Sequence, residues 1–122
     1  MAPILAAAKS GAVIIDHTTA SDVCARSCYE QAAAKGLSFI DAPISGGEAG
    51  AVNGQLTVMC GGDKAAYDAA APIMNAYAKA TKLMGPSGAG QTTKMVKNLH
   101  CGVAPRLIRG RSLRSKGRSV CT

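Results

Sequence analysis

The 122-residue sequence has no tryptophan, one phenylalanine and three tyrosines, so aromatic packing cannot dominate its core. That core has to be built from Ala, Val, Ile, Leu and Met, and the many alanines in helical stretches favour close helix-on-sheet packing. No run of 18 or more apolar residues occurs, which argues against a membrane-spanning helix. The first nine residues lack the basic start of a secretory signal and lead directly into a strand-like segment, so an intracellular chain is expected. No Cys-x-x-Cys pair is present among the five cysteines (24, 28, 60, 101 and 121). Cys24 and Cys28 lie one helical turn apart, but two thiols do not make a zinc site, and His100-Cys101 would complete one only by coincidence of folding. No metal site is expected, and reduced cysteines serving as small apolar residues fit a reducing compartment.

Acidic residues are also missing from the end of the chain: all seven precede residue 69. Residues 1–98 balance eight basic against seven acidic side chains. Residues 99–122 hold Arg106, Arg109, Arg111, Arg114, Lys116 and Arg118 against no acid. The formal charge of +7 therefore belongs mostly to the tail. Such a segment is either a solvated end or a surface for phosphate backbones or anionic membranes. Beyond Gly102 no period of 2 or 3.6 persists.

The length allows one domain at most. Ala12-Val-Ile-Ile-Asp16 reads as a buried parallel strand. Ser21 or Asp22 can cap a helix running to about Lys35, closed by Gly36. Leu37–Asp41 is the next strand, completing a βαβ unit and making the sheet at least partly parallel. Pro43 to Gly54 reads as a glycine-rich turn region, and Gln55–Cys60 as a third strand. Asp63 caps a segment that Pro72 should divide into two short helices. Thr81–Met84 is expected to be an edge strand, Gly85–Gly90 a loop, and a new helix should begin near Gln91.

Two segments carry chemistry. In parallel α/β sheets, ligands collect beyond the carboxyl ends of the strands. Asp16 and Asp41 both end strands, which places Thr18-Thr19 and Ser45-Gly46-Gly47 on the same side of the sheet. Glycine amides approach a ligand closely and can cradle an anion, and Ser45 adds a hydroxyl; the same run also serves as a plain turn. Lys94 and Asn98 lie i and i+4 on one helix face. A lysine desolvated in a cleft can give a proton to a carbonyl oxygen as it becomes an alcohol, and Asn98 can orient the same molecule. By spacing alone the pair is equally compatible with ordinary helix surface. Lys97 points about 100° away on the helical wheel and is expected to face solvent.

Asp16-x-Thr-Thr, Asp41-Ala-Pro-x-Ser-Gly-Gly, Gly50-Ala-x-x-Gly-x-Leu-Thr57, Gly61-Gly-Asp63 and Gly88-x-Gly-x-x-x-Lys-x-x-x-Asn98 follow one another in order. Together they resemble the β-hydroxyacid dehydrogenase family, which includes 3-hydroxyisobutyrate dehydrogenase, tartronate semialdehyde reductase and the more distant 6-phosphogluconate dehydrogenase. The resemblance covers about residues 3–98. It implies an α/β fold with a partial Rossmann-type, doubly wound and mostly parallel sheet, followed by the start of an interdomain helix. It also implies NAD- or NADP-dependent interconversion of a 3-hydroxy acid and its semialdehyde. Carried over by residue, Ser45, Gly46 and Gly47 would bind the substrate carboxylate, Lys94 would be the catalytic acid/base, Asn98 would bind substrate, and Thr19 would approach the nicotinamide end of the cofactor.

The sequence departs from the family pattern in two places. It has no Gly-x-Gly-x-x-Gly turn after a first strand, where a helix N-terminus would hold the pyrophosphate. After about Val103 it turns to an Arg/Ser/Gly-rich composition where the family continues into a helical domain that closes the cleft and forms the oligomer. On this resemblance residues 1–85 are the second half of the NAD(P)-binding domain and 86–103 the start of the interdomain helix. Residues 104–122 are a basic low-complexity tail whose abrupt change of composition looks like a frameshift or a misassigned reading frame. The chain is then expected to be an inactive fragment, cytoplasmic or, in a eukaryote, in the mitochondrial matrix. The rival reading is a non-enzymatic nucleic-acid-binding fragment acting through its tail, against which stands the lack of any aromatic residue there to stack on bases.

Overall fold

The computed structural model describes residues 1–102; what the sequence suggests for the basic segment 104–122 lies outside them. The described residues form five helices and five strands: α1 (Ala2–Ala7), β1 (Val13–Asp16), α2 (Asp22–Ala33), β2 (Ser38–Asp41), β3 (Ile44–Ser45), α3 (Gly47–Val52), β4 (Leu56–Gly61), α4 (Lys64–Met74), β5 (Ala78–Gly85) and α5 (Ala89–Gly102). No helix among them is long and apolar enough to cross a membrane.

The βαβ unit forms as its sequence implies. Ser21 is the N-cap of α2 and accepts the Cys24 N–H at 3.1 Å, which satisfies one of the free donors of the first turn. β1 and β2 then pair in parallel from Val13↔Ser38 to Asp16↔Asp41, so both aspartates end at the same edge. β4 and β5 form a second parallel ladder from Leu56↔Ala78 to Gly61↔Gly85. The two ladders meet through short antiparallel pairings of β4 with β2 (Asp41↔Gly61) and with β3 (Ile44↔Val58, Ser45↔Thr57). The sheet is thus mostly parallel, with β2 and β3 running in one direction against β4 and the chain turning back between Ser45 and Leu56.

Side-chain alternation divides the core into two layers. Ile40, Ala42, Val58 and Cys60 face Ala66, Ala70 and Met74 of α4, and Val13 and Ile15 pack against that cluster. Phe39 and Leu37 turn the other way toward Ala32 of α2, with Leu5 of α1 at its margin. Asp41, one step of two from Phe39, therefore points to the same face as α2. α5 also packs there, against β4, β5, β2 and α2.

Two local expectations are corrected. Pro72 does not split its segment, because α4 runs unbroken from Lys64 to Met74. A proline in a helix interior costs about 3 kcal/mol. Pro72 lies in the last turn, and complete burial of Met74 offsets part of that cost at about 1.5–3 kcal/mol. Pro43 to Gly54 is more than a turn, since it holds β3 and the short helix α3. Leu56, itself buried at the start of β4, packs under Gly46 and Gly50 and anchors that helix to the sheet. Cys24, Cys28 and Cys60 are free thiols.

Candidate functional site

The site grows from the carboxyl end of β2. The buried Asp41 carboxylate accepts the Gly88 N–H at 2.8 Å on one oxygen and the Gln91 N–H at 3.1 Å on the other. These are first-turn donors of α5, which have no intrahelical partner. An acid on a strand thus caps a helix that begins almost fifty residues later. The approach is close: a side chain on Gly90 would meet the Asp41 carbonyl at 2.8 Å, so only glycine lets α5 sit on the sheet. Gln91, fully buried, extends the link, accepting the Ala20 N–H at 3.0 Å and donating to the Thr18 carbonyl at 2.6 Å. On the other face His17 spans the Ala42 carbonyl (2.6 Å) and the Tyr77 hydroxyl (2.7 Å). The loop after β1 is held from both sides.

With its origin fixed, α5 projects Lys94 over β3. The Lys94 ammonium donates to the Ile44 carbonyl at 2.6 Å. Together with Ile44, Ser45, Gly46, Gly47, Gly50 and Gln55 it lines an open cleft of about 710 Å³. Gly46 and Gly47 have φ of 134° and 61°, conformations that side chains rarely adopt, and they turn the chain from β3 into α3. Burial holds the Lys94 ammonium below its ordinary range, and the nearby positive charge of Lys97 adds to the effect. A half-buried amine whose proton is loosened in this way, beside a hydroxyl and glycine amides, suits proton exchange with an oxygen of a small anionic molecule.

The fold recurs in known proteins. Residues 1–85 match the family described as the NAD binding domain of 6-phosphogluconate dehydrogenase. The chain belongs to that family. Among its relatives, an uncharacterized oxidoreductase of Shewanella frigidimarina is 48% identical over 102 residues, 83% of this chain and 35% of its own length. The solved structure of Mycobacterium tuberculosis 3-hydroxyisobutyrate dehydrogenase with L-serine superposes with a TM-score of 0.86 at 34% identity, over 90% of this chain and 38% of that one. Plasmodium falciparum 6-phosphogluconate dehydrogenase, whose structures include a complex with NADP+, gives 0.72 at 28% identity, over 80% of this chain and 22% of that one. The chain spans about a third of the length of the curated relatives it matches.

Within this NAD-binding-domain fold, the residues singled out from sequence separate into two groups. Ser45, Gly46, Gly47 and Lys94 come together on one cleft. Thr19 is exposed on the loop after β1, and Asn98 is exposed one turn beyond Lys94; neither lines that cleft. Lys97 corrects its expectation. It is half-buried, and its ammonium donates to Ser45 Oγ at 2.6 Å. Its four-carbon stem lets the charge turn back toward β3 although its Cα points elsewhere. Asp41 and Gln91 were missed as positioning residues. A carboxylate ending a buried apolar strand needs partners, and that was the available signal.

Proposed function

We propose that this chain carries the substrate-facing part of an NAD(P)-dependent dehydrogenase of the 3-hydroxyisobutyrate dehydrogenase type, acting on a small 3-hydroxy acid and its semialdehyde. The observation that carries this reading is the convergence of Ser45, Gly46, Gly47 and Lys94 on one cleft. Ser45 and the glycine amides bind the substrate carboxylate. The substrate oxygen takes the place of the Ile44 carbonyl as acceptor for Lys94, which gives that oxygen a proton in reduction and removes it in oxidation. Asn98, on the same helix, binds the far end of the substrate.

The exposed Thr18-Thr19 segment, pinned by Gln91 and His17 at the strand edge, fits the nicotinamide end of the cofactor, with Thr19 its nearest residue. NAD or NADP, when bound, supplies or accepts the hydride. Nothing in these 122 residues offers the Gly-x-Gly-x-x-Gly turn that would grip the pyrophosphate. In this reading residues 1–85 are the second half of the NAD(P)-binding domain, 86–103 open an interdomain helix, and the chain alone does not turn over.

Two measurements test this. Purified chain mixed with NADH or NADPH and a small semialdehyde should leave the reduced nicotinamide unconsumed, and turnover would refute the inactivity. In amide NMR spectra, 3-hydroxyisobutyrate should shift the Gly46 and Gly47 signals saturably. Silence at both glycines rules out the site.

A further inference from the structure

Lys94 and Lys97 sit three residues apart on α5 and reach consecutive residues of β3, the Ile44 carbonyl and the Ser45 hydroxyl, each at 2.6 Å. Two ammonium groups are thereby drawn to one rim, although like charges so placed repel. Neither has an acidic partner among the described residues, where the ion pairs are Arg26–Asp22 and Lys64–Asp68, and no acidic residue lines the cleft. A second lysine held half-buried beside the first lowers stability unless something anionic joins them.

The chemistry of the Lys97–Ser45 bond says what that something meets. An ammonium has donors only, so Ser45 Oγ must accept from Lys97. Its own hydroxyl proton is then free to be donated elsewhere, and Ser45 lines the cleft. We propose that Lys97 is a positioning residue of the carboxylate site: it fixes the Ser45 hydroxyl so that its proton points into the cleft, and its charge balances the bound carboxylate. This rests on the reading of the cleft as a hydroxy-acid site. It adds a division of labour, in which Lys94 exchanges the proton while the Lys97 ammonium selects ionised acids over neutral analogues. The downward pull of Lys97 on the Lys94 proton affinity agrees with this.

The test compares 3-hydroxyisobutyrate with its uncharged amide, 3-hydroxyisobutyramide, on the full chain, reading dissociation constants from the Gly46 and Gly47 amide shifts. Loss of a charge-assisted contact should make Lys97→Met bind the acid about ten- to a hundredfold more weakly. The same variant should bind the amide within a few-fold of the unmodified chain. Lys97→Arg, which keeps the charge and a donor, should restore most of the acid affinity. Lys97→Gln, which keeps a donor without the charge, should not, and it serves if Lys97→Met folds poorly. Ser45→Ala/Lys97→Met should lose less than the sum of the two single losses, because the residues act as a pair. Acid affinity unchanged in Lys97→Met, or acid and amide weakened equally, would overturn the role of Lys97 while leaving the site intact. Absence of any acid-induced shift in the unmodified chain would remove the site and this role together.

Discussion

The side chain of Asp41, at the end of β2, accepts the backbone N–H of Gln91 at 3.1 Å across fifty residues of sequence. With the matching bond from Gly88, it fixes where α5 begins and so where Lys94 and Lys97 reach. Replacing Asp41 with Ala would leave two buried donors unpaired, at roughly 1–3 kcal/mol each. Asp41→Ala should therefore lose about 2–6 kcal/mol in urea unfolding, and Asp41→Asn, which keeps one acceptor, should lose less. A loss under about 1 kcal/mol for the alanine variant would show that the cap contributes little.

Gly90 tests the closeness of the same contact. A Cβ there would lie 2.8 Å from both the Asp41 carbonyl and a carboxylate oxygen, so α5 would have to shift. Gly90→Ala should destabilise by about 1–3 kcal/mol, the range for overpacking, although alanine is the better helix former. An unfolding midpoint at or above that of the unmodified chain would mean the helix is not seated on the strand.

Gln91 links this cap to the loop that carries Thr18 and Thr19. In Gln91→Ala the Ala20 N–H loses its acceptor, and its hydrogen exchange should accelerate at least tenfold while the amides of β4 stay protected. Equal acceleration across the sheet would indicate global loosening instead.

Cys60 and Lys94 give opposite pH dependences. Burial, with the Asp41 charge adding to it, pushes the Cys60 thiol up to about 11 from its ordinary 9.0. Between those values the unfolded chain has released a proton that the native chain keeps, so stability falls as pH rises. Cys60→Ala should cost on the order of 1 kcal/mol at neutral pH and remove that fall. In the native chain Cys60 should also resist alkylation under conditions that modify the exposed Cys24.

For Lys94 the native proton affinity lies below the ordinary 10.5. In the window beneath 10.5 the unfolded chain holds a proton that the native chain has shed, so this group makes stability rise with pH. Lys94→Met should lack that rise and be no less stable than the unmodified chain at neutral pH. Urea unfolding as a function of pH, taken as the difference from each variant, separates the two contributions. A steeper rise in Lys94→Met would contradict the sign.

The βαβ unit was legible because each of its signals is local: apolar strands, Ser21 as a cap, and a glycine after the helix. The cleft was legible through Ser45-Gly46-Gly47 and Lys94, whose residue types declare their chemistry. Pro72 and the segment from Pro43 to Gly54 were misread because local propensity yielded to burial of Met74 and Leu56, which depends on distant strands. Lys97 was misread because a helical wheel tracks Cα directions, while a long side chain can bend toward Ser45.

The sequence by itself determined the strands and helix of the βαβ unit, and it supplied the hydroxyl, the glycines and the lysine that line the cleft. Those properties reside in single side chains and short spacings. Only the tertiary structure decided that Asp41 caps α5, that Gln91 holds the loop after β1, and that Lys97 meets Ser45. Each joins residues fifty or more positions apart, and their partners are set by the packing of α5 on the sheet.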